Sequence, residues 1–257
     1  MQLNYCQYST SGEPLLILHG LFGSHSNWGW HAKKLAARFA VIGVDLRNHG
    51  GSPHAETMNY QIMAEDIQEL LQHLDIEPCS IIGHSMGGKV AMQLSLSHPE
   101  LVSKLIVVDI APVAYESSAD DQMSVITGME SLDLAKIKNR VEAEDNLRSF
   151  IHDESTRQFV LTNLVREKSG GYRWRINLPV IKKEYGNLRA ESIGNKIFKK
   201  PVLFIKGALS NYIKIEHEKN ILKYFPKATS KIIMGGGHWL HVDKPKAFNK
   251  IAVDFLT

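Results

Sequence analysis

The strongest constraint on the fold is a series of short apolar runs that are continuous rather than alternating. They include Pro14-Leu15-Leu16-Ile17-Leu18, Phe39-Ala40-Val41-Ile42-Gly43-Val44, Ile81-Ile82, Leu105-Ile106-Val107-Val108, Val202-Leu203-Phe204-Ile205 and Ile232-Ile233-Met234. A strand with one wet face alternates apolar and polar residues, whereas a strand covered on both faces does not, so these runs predict buried parallel strands. Between them apolar residues recur at helical spacing, as in Ile62, Met63, Ile67, Leu70, Leu71 and Leu74. Strands alternating with helices imply an α/β domain, a mostly parallel sheet flanked by helices on both faces, and residues 3–8 are expected to add an edge strand. The rhythm stops after Val113 and resumes at Pro201. Residues 1–112 and 201–257 are therefore expected to form the core, and 113–200 an inserted helical cap.

One run leads into Gly83-His84-Ser85-Met86-Gly87-Gly88, a G-x-S-x-G pattern between a strand and a helix. A serine on such a sharp turn holds its hydroxyl above the sheet edge, within reach of a histidine and of the next backbone N–H. A Gly-rich turn with a surface serine is the plain alternative, and only partners elsewhere in the chain decide between them.

Those partners exist, and they carry a resemblance. His19-Gly20-Leu21-Phe22-Gly23, Asp45-Leu46-Arg47-Asn48-His49-Gly50, Gly83-His84-Ser85-Met86-Gly87-Gly88 and Gly237-His238 resemble the ordered signature of the α/β-hydrolases. The LRNHG loop, the GHSMGGK turn and the VDIAP segment are similar to small bacterial cytoplasmic esterases of the YbfF type and their eukaryotic relatives. The similarity spans nearly the whole chain and is weakest in the cap.

The resemblance implies a serine hydrolase. A serine hydroxyl is a weak nucleophile at neutral pH and needs a general base, for which His238, after the final strand, is the candidate. The amides of Met86 and Leu21 are the expected oxyanion hole. For the acid, the family's usual position after the post-cap strand holds Ser210, which has no charge to support an imidazolium. Asp109, at the end of the strand before the cap, is the nearest suitable carboxylate. It also reads as a loop-capping residue, so Asp109 and Ser210 both stand as candidate partners of His238. Phe22, Trp28, Tyr115, Trp174, Tyr212 and Trp239 are candidate substrate-binding residues, although aromatic side chains more often belong to a core.

Composition narrows the function classes. A net charge of +3, from 30 basic and 27 acidic residues, provides no general attraction to nucleic acid. No apolar run reaches the ~20 residues of a membrane span. No cluster has metal-ligand spacing and no Gly-rich phosphate loop occurs, so neither metal nor cofactor is expected. Two cysteines and a start without a signal pattern suit the cytoplasm. The basic run over 166–200 reads as a solvated face, or as a site attracting an anionic acyl donor such as a CoA thioester. The reading is a monomeric or homodimeric esterase acting on small carboxylic esters or acyl thioesters. A C–C bond hydrolase or perhydrolase using the same residues, or a catalytically silent receptor of this fold, are the alternatives.

Overall fold

The computed structural model describes residues 1–115, 121–168, 170–191 and 196–257. The interval expected as a cap, 113–200, thus includes ten residues outside the described ones. Nine strands are seen among the described residues: β1 (Tyr5–Gln7), β2 (Glu13–Leu18), β3 (Phe39–Val44), β4 (Cys79–His84), β5 (Val102–Val108), β6 (Leu164–Arg166), β7 (Tyr172–Trp174), β8 (Val202–Gly207) and β9 (Ala228–Ile233). Seven of them make one sheet in the order β1-β3-β2-β4-β5-β8-β9. Within this sheet only β1 runs antiparallel to its neighbour, and the other pairings are parallel.

Successive residues of the central strands point into two different cores, which is why their sequences need not alternate. Leu16, Leu18, Ile81, Leu105 and Val107 pack on one side with Met63, Ile67 and Leu71 of α2 (Tyr60–Leu74) and Val90 and Leu94 of α3 (Met86–Ser97). Leu15, Ile17, Ile82, Ile106 and Val108 pack on the other with α1 (Gly29–Leu35) and α10 (Pro245–Leu256), where Leu35, Phe248 and Ala252 are buried.

Between β5 and β8 stand α4 (Asp121–Ser131), α5 (Arg140–Leu147), α6 (Glu154–Leu161), the β6–β7 hairpin and α7 (Leu178–Arg189). Asn139 and Asp153 cap α5 and α6 by accepting the amides of Glu142 and Thr156. The hairpin departs from the helical expectation for this interval. Val125, Ile126, Leu147, Val160 and Ile181 continue the α2/α3 core into this region, so the inserted elements are packed on the sheet domain rather than tethered to it. After β8 come α8 (Glu218–Tyr224), β9, α9 (Leu240–Asp243) and α10. Among the described residues no helix is long and apolar enough to cross a membrane.

Candidate active site

The turn joining β4 to α3 has no room for side chains on its inner face. A Cβ on Gly83 would lie 2.4 Å from the Gly87 carbonyl oxygen, and one on Gly87 would lie 2.5 Å from the carbonyls of Leu18 and His19. Glycine is required at both, and the chain reverses so tightly that Ser85 adopts φ 51° and ψ −117°. The side chain of Ser85 faces a cavity, with the first turn of α3 directly behind it.

His238, on the loop after β9, meets this serine. Its Nε2 is 3.0 Å from Ser85 Oγ and its Nδ1 is 2.8 Å from Asp109 Oδ2. Since a carboxylate only accepts, Nδ1 carries the proton and Nε2 is left to accept from the serine hydroxyl. Asp109 follows β5 and is completely buried, with φ 52°. Its carboxylate also accepts the Gly207 amide at 3.0 Å and the Ser210 hydroxyl. Ser210 therefore binds Asp109 and takes the Tyr212 amide at 3.2 Å; it makes no hydrogen bond to His238, correcting the expectation that it could be that residue's partner. A short hydroxyl side chain after β8 reaches only the carboxylate that lies between the two strand ends. Tyr212 stacks on the His238 ring with centroids 4.0 Å apart, and Asp243 holds the same loop by accepting the Gly237 amide at 2.7 Å. Asp45 lies across the sheet, taken up by the amides of His25 and Gly51 and by Asn4.

The other histidines near the motifs are structural and neutral. His84 donates from Nε2 to the His238 carbonyl at 2.9 Å rather than to Ser85. Burial, reinforced by the adjacent His238, holds its pKa well below the ordinary histidine value. His19 accepts the Leu46 amide on Nε2 at 3.0 Å, so its Nδ1–H donates to the Gly20 carbonyl at 2.8 Å. His49 accepts the Phe22 amide on Nε2 at 3.2 Å and donates from Nδ1 to the Arg47 carbonyl at 3.0 Å. Burial lowers the pKa of both, to about 3 for His49.

This bracket orients the Gly20–Leu21 peptide. In a trans peptide the carbonyl and the next N–H point in opposite directions. With the Gly20 oxygen gripped by His19 and by the Gly23 amide at 3.0 Å, the Leu21 N–H is directed the other way. Neither Leu21 N–H nor Met86 N–H has a hydrogen-bond partner among the described residues. Both residues line the cavity with Ser85 and His238, and Met86 opens α3, whose dipole favours negative charge there.

The cavity is ≈ 130 Å³. That is close to the space that accommodates a benzene-sized group. Phe22, Tyr115, Tyr212 and Trp239 line it as expected. Trp174 does not: in the β6–β7 hairpin its indole N–H donates to the Met129 carbonyl at 3.1 Å, and its ring packs among the inserted elements. Trp28 is also absent from the lining, being buried in the opposite core with His241 stacked on it at 4.2 Å. Tyr60, Lys89, Phe159, Tyr185 and Leu188 line the cavity without having been singled out from sequence. Lys89 lies one turn after Ser85 on a helix with no other charged residue, where sequence alone reads a lysine as surface. Its ammonium donates to the Val113 carbonyl at 2.7 Å, after β5, and to the Ala190 carbonyl, at the end of α7. It lies 4.9 Å from the Tyr115 ring centroid and 5.4 Å from that of Tyr60. Burial pulls its pKa down to about 7. Among the described residues no group of three or more histidine, cysteine or acidic side chains is placed to hold a metal ion.

The chain is similar to known proteins over nearly its whole length. A family model described as alpha/beta hydrolase fold matches residues 13–245. Esterase YbfF of Escherichia coli is 35% identical over 94% of this chain and 92% of its own length. The sn-1-specific diacylglycerol lipase ABHD11 of Danio rerio is 40% identical over 100% of this chain and 83% of its own. A solved marine microorganism esterase superposes with a TM-score of 0.96 at 41% identity, covering 99% of both chains.

Proposed function

We propose, from the premise that this chain belongs to the α/β-hydrolase family and is a serine ester hydrolase, that it cleaves small carboxylic esters through an acyl-enzyme on Ser85. The observation that carries this reading is the Asp109–His238–Ser85 hydrogen-bonded chain, at 2.8 and 3.0 Å, beside two amides without partners. His238 Nε2 takes the Ser85 proton as Oγ attacks the ester carbonyl, and Asp109 supports the imidazolium that forms. The tetrahedral oxyanion is received by the N–H groups of Leu21 and Met86, each worth about 3 kcal/mol in the transition state. Collapse expels the alcohol with the proton from His238; water then attacks the acyl group by the same route and frees Ser85.

Residues 113–200 act as the cap that closes the cavity, and Tyr60, Tyr115, Phe159 and Trp239 form its apolar wall. The small volume favours short acyl groups. Acyl thioesters enter the same chemistry and belong in the substrate panel. Two free cysteines, one of them buried, accord with a cytoplasmic location.

The test is a pre-steady-state burst of p-nitrophenol from short-chain esters, with the acyl mass found on Ser85. Ser85→Ala should fold and lose about 10⁴-fold or more of kcat. Turnover near that of the parent in this variant would remove Ser85 from the mechanism.

A further inference from the structure

His238 follows a stretch of backbone that does little to place it. Gly235, Gly236 and Gly237 immediately precede it, and Gly235 sits at φ 68°, in the left-handed region. Glycine has the widest choice of backbone conformations, so such a run does not by itself fix the residue that comes next. Two contacts hold the glycines. The Leu209 amide donates to the Gly236 carbonyl at 2.9 Å, and the Gly237 amide donates to Asp243 at 2.7 Å. His238 needs a closer hold than these, because the proposed proton transfer depends on the 3.0 Å between its Nε2 and Ser85 Oγ. A displacement of about 1 Å at a reacting group can cost about 100-fold in rate.

The backbone of His238 is held by His84. The Nε2–H of His84 donates to the His238 carbonyl at 2.9 Å, and among the described residues no other group donates to that oxygen. His84 is the last residue of β4 and directly precedes Ser85. The bond therefore runs from the loop of the base to the turn of the nucleophile itself, one peptide away from the reacting hydroxyl. The other ring nitrogen of His84 meets the oxyanion turn: a Cβ on Gly20 would lie 2.8 Å from His84 Nδ1 and 3.3 Å from Ser85 Cβ. Glycine at position 20 thus lets the imidazole lie against the turn that carries the Leu21 amide. Behind the ring stands His241, with centroids 4.7 Å apart, itself stacked on Trp28. His84 is 4% exposed, so its ring is confined on these sides. A phenyl ring would fill the same space but would leave the His238 carbonyl without a donor.

We infer that His84 is a positioning residue for the proposed hydrolysis: it fixes His238 at bonding distance from Ser85 by tying the carbonyl of the base to the turn of the nucleophile. The inference rests on the hydrolytic reading above, and His84 takes no part in the proton transfer itself.

Two substitutions test it. His84→Gln keeps an N–H at nearly the reach of Nε2, whereas His84→Phe keeps a ring and loses the donor. With p-nitrophenyl acetate, His84→Phe should show kcat about 10–100-fold below the parent with KM within about twofold, and His84→Gln should show kcat within about threefold. In the proton NMR spectrum the downfield resonance of the His238–Asp109 bond should persist in His84→Gln and broaden or vanish in His84→Phe. A role limited to filling space predicts the opposite order, since phenyl matches the shape of imidazole better than a flexible amide does. That order overturns the inference, as does parental kcat in His84→Phe. Where the variants do not fold, the parent decides: NMR of the His84 ring nitrogens at the assay pH should show the proton on Nε2, and a proton on Nδ1 alone overturns the inference. The activity of Ser85→Ala tests the hydrolytic reading separately.

Discussion

Replacing Lys89 by methionine should change how stability depends on pH. Lys89 is 1% exposed, and its ammonium is held by two backbone carbonyls and two tyrosine rings rather than by a carboxylate. Burial disfavours its charged form, so its pKa falls from 10.5 in the unfolded chain to about 7 in the fold. Below about pH 7 both states are protonated and the cost of burying the charge is present in full. Above it the folded lysine loses its proton while the unfolded one keeps it, so stability rises with pH until about 10.5. The displacement corresponds to a ceiling of about 5 kcal/mol, which local relaxation and water entry reduce to about 1–5 kcal/mol. A neutral amine still has two N–H bonds, enough for the Val113 and Ala190 carbonyls; the methionine variant leaves both carbonyls unpaired at every pH. The parent-minus-variant difference in unfolding free energy should therefore grow between about pH 7 and about pH 10. Urea unfolding followed by tryptophan fluorescence measures it. Groups such as Cys79, whose pKa burial raises to about 12, titrate in both proteins and cancel. Parallel curves for the two proteins would refute the claim that Lys89 is buried at the expense of its charge.

Asp109→Asn should lower kcat by about 10⁴, whereas Ser210→Ala, which removes only one of the bonds to that carboxylate, should cost about tenfold; steady-state kinetics with the reverse ranking would exchange their roles. His49→Phe takes away the acceptor of the Phe22 amide and should reduce kcat about 10–100-fold with little change in KM, part of the cost of a misplaced oxyanion donor. An unaltered kcat would show that the turn holds its shape without His49. Trp174→Ala should lower the thermal midpoint yet leave the ranking of acyl chain lengths unchanged, because the indole is bonded to Met129 away from the cavity. A changed ranking across an ester panel would bring Trp174 back to the substrate.

The sheet was readable because a strand buried on both faces needs only apolar residues, and the parallel β2, β3, β4, β5 and β8 follow their runs closely. β9 begins four residues ahead of the Ile232-Ile233-Met234 run, since Ala228-Thr229-Ser230 carries no apolar signal on an edge strand. The β6–β7 hairpin escaped the helical reading of 113–200: strands of three residues are too short to show a period. Asp109 could be singled out because it ends a central strand, but no spacing rule says that Ser210 would bond to Asp109 rather than to His238; that depends on how the ends of β5 and β8 meet in space. Lys89 and the histidine bracket were harder still. A lysine reads as surface and a histidine as ambiguous, and only the assembled fold shows that Lys89 joins the Val113 and Ala190 carbonyls and that His19 and His49 each accept a backbone amide.

Ser85 and Asp109, the nucleophile and the acid of the proposed mechanism, both sit at positive φ, 51° and 52°. Backbone of this kind costs about 1–3 kcal/mol per residue, an appreciable share of the ~5–15 kcal/mol that holds an ordinary domain folded. Glycine would relieve that strain at either position while ending the chemistry. Stability and turnover consequently pull in opposite directions at these two sites. A directed-evolution campaign scored on melting temperature alone would drift toward inert proteins here, and any thermostable variant recovered from it should first be sequenced at positions 85 and 109.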